Sequence, residues 1–189
     1  KYNDEWYNEL VKRDADPTFE KVRVNGNGEY EYFGNTNWLD VIYKDYTLST
    51  EHNVSVSGGN DAAKYYVSGR YFNQDGIYSE GNEDYTQYNL RAKGTIKLNK
   101  YFTIDNNTDF IRRSIHQPMV MYDRQLIARQ IEHQGYPMTV PKNPDGTWTE
   151  AAVYVGWAGF AEGTSYQHNK KMDLKNTTTL TFTPIEPLI

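Results

Sequence analysis

Carboxylate pairs are the first residues in this chain whose types could do chemistry. Asp105 and Asp109 stand four positions apart, and Glu80, Glu83 and Asp84 cluster nearby. Cleaving a glycosidic bond needs two carboxyl groups, about 5–5.5 Å apart for retention or about 6.5–9.5 Å for inversion. On one strand Asp105 and Asp109 would share a face roughly 13 Å apart, at ~3.3 Å per residue, too far for either mechanism. They are expected to be solvated charges. His52, His116, His133 and His168 show neither His-x-x-x-His nor Glu-x-x-His spacing, so no metal site or other cofactor is expected. No nucleophile, histidine and acid group together, so an enzyme is not expected.

Other motifs have a plainer reading beside the chemical one. Asn25-Gly26-Asn27-Gly28 could cradle a phosphate, but no apolar strand precedes it and no Lys-Ser/Thr follows, so a tight turn is expected. Asn143-Pro144-Asp145-Gly146 lacks the alternating acids of a calcium loop and also reads as a turn. Asn-x-Ser/Thr triplets begin at Asn53, Asn106 and Asn176, but inside predicted strands, where glycosylation is not expected. Trp148, Tyr154 and Trp157 leave two readings open. They could present aromatic faces to a substrate or partner, or they could pack a long loop upon itself.

Composition narrows what must position these residues. Of 189 residues only 38% are hydrophobic, yet 15% are aromatic, with 17 Tyr against 7 Phe and 4 Trp. Disordered chains lack aromatics. Tyr and Trp suit surfaces that are apolar on one side and wet on the other, such as membrane interfaces and sugar-binding walls. The net charge is −5 with no basic stripe, so nucleic acid is not an expected partner. Without cysteine there is no disulfide framework and no thiolate metal site. Lys1 to Leu10 contain no apolar signal-peptide core. No stretch approaches the ~20 apolar residues of a membrane helix, so any crossing must be made by strands.

The chain divides into four segments. Residues 1–50 read as a loop segment with a short helix, capped by Asn3 and running to Val11 with Trp6, Leu10 and Tyr7 inward. Residues 51–113 alternate with a period of two, in strands over Glu51–Gly59, Lys64–Phe72, Gln87–Leu98 and Phe102–Phe110. The cleanest places Tyr88, Leu90, Ala92, Gly94, Ile96 and Leu98 on one face, with Gln87, Asn89, Arg91, Lys93, Thr95 and Lys97 on the other. Residues 114–167 break the rhythm as a long loop, with a short helix over Tyr122–Gln134. Residues 168–189 hold a fifth strand, stopped by Pro184 and Pro187.

The fold class expected is all-β: an antiparallel meander, part of a transmembrane β-barrel, with long extracellular loops and short helices. Connections alternate between tight ones at Asn60 and Asn99 and long ones at Asn73–Asp84 and Ser114–Gln167, as in outer-membrane barrels. An apolar band ~25 Å tall crossed at ~40° needs about ten residues per strand. Leu90, Ile96, Phe110, Leu174 and Phe182 would then face lipid. Arg70, Arg91, Lys93, Asp105, Asp109, Lys171 and Lys175 would face the lumen. A soluble carbohydrate-binding β-module, whose sheet has one wet face, remains the alternative.

Two stretches, "NTNWLDVIYKDY" at Asn35–Tyr46 and "HNVSVSGGNDAAKYYVSGRYFNQDGI" at His52–Ile77, resemble the start of the barrel in SusC-like TonB-dependent transporters. The Tyr85–Leu98 strand, "NPDGTW" at Asn143–Trp148 and "LTFTPIEPLI" at Leu180–Ile189 extend the resemblance over most of residues 35–189. It implies a 22-stranded outer-membrane barrel holding an N-terminal plug, with import of glycans or peptides driven through TonB. It also implies a SusD-like surface lipoprotein over the mouth. Five strands cannot close a membrane barrel, which needs at least eight, so a fragment of a larger chain is expected.

Overall fold

The computed structural model describes residues 3–16, 18–118, 121–122, 125–162 and 166–184. Pro17, Pro187 and the end of the "LTFTPIEPLI" stretch lie outside them. In chain order the elements are α1 (Asp4–Ala15), β1 (Val22–Val24), β2 (Tyr30–Tyr32), α2 (Trp38–Ile42), β3 (Ser49–Gly59), β4 (Ala63–Asp75) and β5 (Asp84–Lys97). They continue as β6 (Phe102–Pro118), β7 (Met121–Tyr122), β8 (Gln125–Leu126), α3 (Ile127–Gln134), α4 (Glu150–Tyr154), α5 (Trp157–Ala161) and β9 (Tyr166–Phe182). No helix among the described residues is long and apolar enough to cross a membrane.

Two compact units divide the chain. One comprises Thr47–Gly76, Glu83–His116 and Gln167–Ile189. It is a single sheet in the order β3-β4-β5-β6-β9, all neighbours in sequence order. The five expected strands are present, and the class is mainly β. All five outrun their alternation at one end or both: β6 continues to Pro118 and β9 begins at Tyr166. Two tight turns use the same device. Asn60 Oδ1 accepts from the backbone N–H of Ala62 and Ala63, both at 2.9 Å. Asn99 Oδ1 accepts from Tyr101 and Phe102 at 2.8 and 3.1 Å. An Asx side chain thus replaces the backbone acceptor that a two-residue reversal lacks. Gly59, at φ +143°, is required there, because a Cβ would lie 2.3 Å from the Ala63 carbonyl oxygen.

The other unit comprises Lys1–Tyr46, Ile77–Asn82 and Gln117–Tyr166. Its core joins Trp38 and Ile42 of α2 to Ile131 of α3, Ala152 of α4, Val155, and Trp157 and Phe160 of α5. The N-terminal segment and most of the 114–167 segment are therefore one body, although four strands of the other unit lie between them in sequence. Backbone bonds from Gly34 to Met138 and from Thr36 to Pro137, each 2.8 Å, stitch them together. The Trp38 indole N–H adds a bond to the Tyr136 carbonyl at 3.1 Å.

Local differences from the expectation have local causes. Asn3 caps α1 as expected, accepting from the Trp6 N–H at 2.8 Å. The helix runs one turn past Val11, where Arg13 pairs with Glu9 at 2.9 Å. Tyr7 is exposed rather than inward, while Trp6 stacks on Phe33. The helix expected from Tyr122 begins at Ile127, because the two-residue strands β7 and β8 pair before it. Both Asn-Gly segments are turns. Asn25 Oδ1 accepts from Asn27 and Glu29 N–H groups, both at 2.9 Å. Gly146 sits at φ +85°.

Candidate functional site

Directly opposed residues of an antiparallel ladder share a face, so register sorts the sheet into two surfaces. Val54, Gly69, Leu90 and Phe110 make one row, and Val56, Val67, Ala92 and Thr108 the next row on that face. Ser55, Ser68, Arg91 and Asp109 lie between them on the opposite face. The alternation in sequence therefore survives as two chemically distinct surfaces.

The apolar surface is framed by aromatic rows. At one end His52, Tyr71 and Tyr88 are opposed, with ring centroids 6.3 and 5.2 Å apart. At the other, Phe102 and Phe182 stack at 4.8 Å. From Tyr88 to Leu98, beside Phe102, the path is ten residues, about 33 Å at ~3.3 Å each. Tilted by ~40°, that spans ~25 Å, the height of an outer-membrane apolar band. Between the two rows no charged residue stands on this face. Leu90 is 57% exposed and Leu174 71%. With Ile96 and Phe182 also exposed, the side chains expected to face lipid do not converge on a closed core.

Four polar side chains interrupt this surface, and they satisfy one another. Asn106 Nδ2 donates to Thr178 Oγ1 at 2.8 Å, and Thr178 donates to Asn176 Oδ1 at 3.2 Å. Asn176 Nδ2 donates to Thr108 Oγ1 at 2.6 Å, and Thr108 donates to Asn106 Oδ1 at 2.9 Å. The ring closes across β6 and β9. Two of the three glycosylation-like triplets are thus its two halves.

The opposite surface is polar and laddered by ion pairs. Glu51 accepts from Arg70 at 2.8 Å across β3 and β4. Arg91 pairs with Asp109 across β5 and β6, and Arg113 pairs with Asp173 across β6 and β9. Asp105 accepts from Thr95 Oγ1 at 2.6 Å. A hollow of about 430 Å³ opens on this face, lined from all five strands by Asn53, Arg70, Arg91, Asp109 and Lys175 among others. A sheet is hollow on the side toward which it curls, so the polar face is the concave one.

All seven residues expected to face the lumen, from Arg70 to Lys175, share this surface. Arg70, Arg91 and Asp109 are in ion pairs, and Asp105 is bound to a threonine instead. Lys93, Lys171 and Lys175 have no carboxylate partner among the described residues. Sequence reasoning missed Arg113 and Asp173 as a cross-strand pair, since β6 and β9 are separated by the long insertion.

In the other unit the three aromatic candidates part ways. Trp157 is 1% exposed and stacks on Phe160 at 5.2 Å, so it packs the segment rather than presenting a face. Trp148 lies against the same core, with its indole N–H on Glu162 at 2.7 Å and Lys142 Nζ 4.5 Å from the ring centre. Tyr154 alone stands out, 58% exposed. The Asn143–Thr147 turn is held by two tyrosines of β2: Tyr32 donates to Asn143 Oδ1 at 2.8 Å, and Tyr30 to Asp145 Oδ2 at 3.1 Å. Hydrogen bonds from the Thr147 hydroxyl and N–H hold the Asp145 carboxyl below the usual aspartate range. That same carboxylate raises the Tyr30 phenol above its ordinary value.

Strand pairing does bring two histidines together, with His116 and His168 ring centroids 5.8 Å apart. His168 Nε2 lies 2.9 Å from Ser114 Oγ, while the nearby Asp84 carboxylate faces His116 at 3.8 Å. Serine, histidine and acid are thus divided between two rings rather than aligned through one. Among the described residues no three His, Asp or Glu side chains converge as a metal site.

No family model matches the chain. Over 73 residues it is 34% identical to the TonB-dependent receptor P3 of Formosa agariphila, a stretch covering 39% of this chain and 7% of that protein. The chain thus spans a small part of the length of the curated relative it matches. This likeness supports the TonB-dependent transporter family in general.

Proposed function

We propose that the chain forms wall and outer loops of a TonB-dependent outer-membrane importer of glycans or peptides. The observation that carries this reading is the apolar surface: charge-free between two aromatic rows ten residues apart along β5, a path of ~33 Å, with its four polar side chains closed into a ring. Hydrocarbon demands that arrangement because an unsatisfied amide or a charge there costs several kcal/mol. A soluble sheet would meet water or a second layer and has no need of it. Both edges, β3 and β9, have one neighbour only among the described residues, so further strands are expected on each side.

In this reading the polar concave face lines the lumen, residues 1–50 and 114–167 supply extracellular loops, and a SusD-like surface lipoprotein is a partner. TonB acts through a plug segment elsewhere in the protein. No bond is broken, and the divided serine, histidines and acid are surface chemistry. SusC-like specificity is supported by the stretches at Asn35–Tyr46 and His52–Ile77. The test is to fractionate the native cells and to delete the gene. The whole protein should appear in the outer membrane as a heat-modifiable band, and the deletion should abolish growth on a particular glycan or peptide only where TonB is present. A soluble, heat-indifferent protein would refute the proposal.

A further inference from the structure

The concave polar face carries more positive charge than its own acids neutralise. Eight Lys and Arg side chains share it with four carboxylates. Each carboxylate is committed: Glu51 to Arg70, Asp109 to Arg91, Asp173 to Arg113 and Asp105 to Thr95. Lys64, Lys93, Lys97, Lys171 and Lys175 remain without an acid partner among the described residues. The excess is not inherited from composition, since the whole chain carries a net charge of −5. It has been sorted onto one surface, the hollow one, where Lys175 stands in the same cavity as Arg70 and Arg91.

A concave wall with an excess of one sign of charge focuses its field into the space it encloses and concentrates counter-ions there. An anion drawn between these lysines would offset their mutual repulsion. We infer that the solute passing this face is a polyanionic oligomer, one carrying carboxylate or sulfate groups at successive units. The spread of the lysines over β4, β5 and β9 suits a chain of anions better than a single one. This inference rests on the transport reading and specifies the substrate class for the same face.

The experiment uses the whole protein purified from outer membranes in detergent, first checked for heat-modifiable mobility. Binding is measured for dextran sulfate oligomers, poly-L-glutamate oligomers and uncharged dextran of matched length. One or both anionic probes should bind at least about tenfold more tightly than dextran, and the better of them distinguishes a glycan from a peptide source. The triple variant Lys93→Gln, Lys171→Gln, Lys175→Gln should keep the heat-modifiable band and weaken that binding by about fivefold per lysine, as for basic residues at anionic surfaces. Replacing the same three by Arg should restore it. Equal binding of dextran, or undiminished binding by the glutamine variant, overturns the inference. So does carbodiimide cross-linking of these lysines to carboxylates elsewhere in the same protein, which would make an acidic segment the occupant. A parent protein with no heat-modifiable band removes the transport reading, and this inference with it.

Discussion

Asn106 and Asn176 sit on adjacent strands 70 positions apart in sequence, and each amide donates to the threonine two residues beyond the other. The two halves of the ring are chemically identical Asn-x-Thr units, Asn106 with Thr108 and Asn176 with Thr178. No tight turn fixes the register of β6 against β9, because the 114–167 segment intervenes. The ring supplies a fixed point in its place, with the Arg113–Asp173 pair as a second one on the opposite face.

A single substitution in that ring should therefore cost more than replacing all of it. Asn106→Ala leaves Thr178 without its donor and Thr108 without its acceptor, a loss of about 1–2 kcal/mol where water cannot substitute. Replacing all four with Leu and Val removes every unsatisfied group and should return the stability most of the way to the parent. Urea unfolding of the whole protein in detergent micelles measures both. A fourfold variant less stable than the sum of its single changes would place the ring in water.

Leu90 and Lys93 test the two faces directly. Leu90 lies in a row with Val54 and Phe110 in the charge-free band, whereas Lys93 opposes Tyr66 and Asn107 on the concave face. In the proposed barrel, Leu90→Arg would place a guanidinium against hydrocarbon at ~2–4 kcal/mol, and assembly should fail or fall severalfold. Lys93→Gln should assemble as the parent does. Heat-modifiable electrophoresis of outer membranes reads both, and equal, mild effects would reject the face assignment.

The strands were legible because each side chain's fate depends on its neighbour two positions away. Tyr88 to Leu98 alternate without a break, and β5 runs through all but the last of them. Legibility failed where the membrane-like band ends. Arg112 falls on the apolar face beside the aromatic row, and Ile115 falls on the polar one, so alternation of residue type stops while the backbone pairing continues to Pro118. The second unit was less legible still. Trp38, Ile131 and Trp157 come from three helices of five to eight residues, too short for a helical period to declare itself. Their packing partners are about a hundred residues apart. Trp148 and Trp157 drew attention by type alone, and type could not say which of them packs the core.

Trp157 and Tyr154 should separate packing from recognition. Trp157→Ala empties a site between Phe160 and the helices around it, a change that typically costs about 3–5 kcal/mol. The segment should then become sensitive to proteinase added to intact cells. Tyr154→Ala removes an exposed ring and should change stability by no more than ~0.5 kcal/mol. If that ring contacts lipoprotein or substrate, the loss will appear only in binding. Protease sensitivity of the Tyr154 variant equal to that of the Trp157 variant would contradict this division.

Acid should loosen the Asn143–Thr147 turn, and the sign follows from Asp145. Its carboxyl is held below the ordinary aspartate value by the Thr147 hydroxyl first and the Thr147 N–H second. A group whose folded value is depressed stabilises the fold above its unfolded value, ~3.9 for aspartate, and that contribution disappears as pH falls through the folded value. At neutral pH the turn therefore keeps its full support. As pH falls through that depressed value, protonation weakens Asp145 as the acceptor for Thr147 and for Tyr30. Because the turn is docked on β2 through Tyr30 and Tyr32, release should reach both strands of that hairpin. The Thr147 amide resonance of selectively labelled whole protein should titrate with a midpoint below ~3.9, and Asp145→Asn should abolish the titration. A midpoint at or above the ordinary aspartate value would mean that the Thr147 bonds do not favour the charged form.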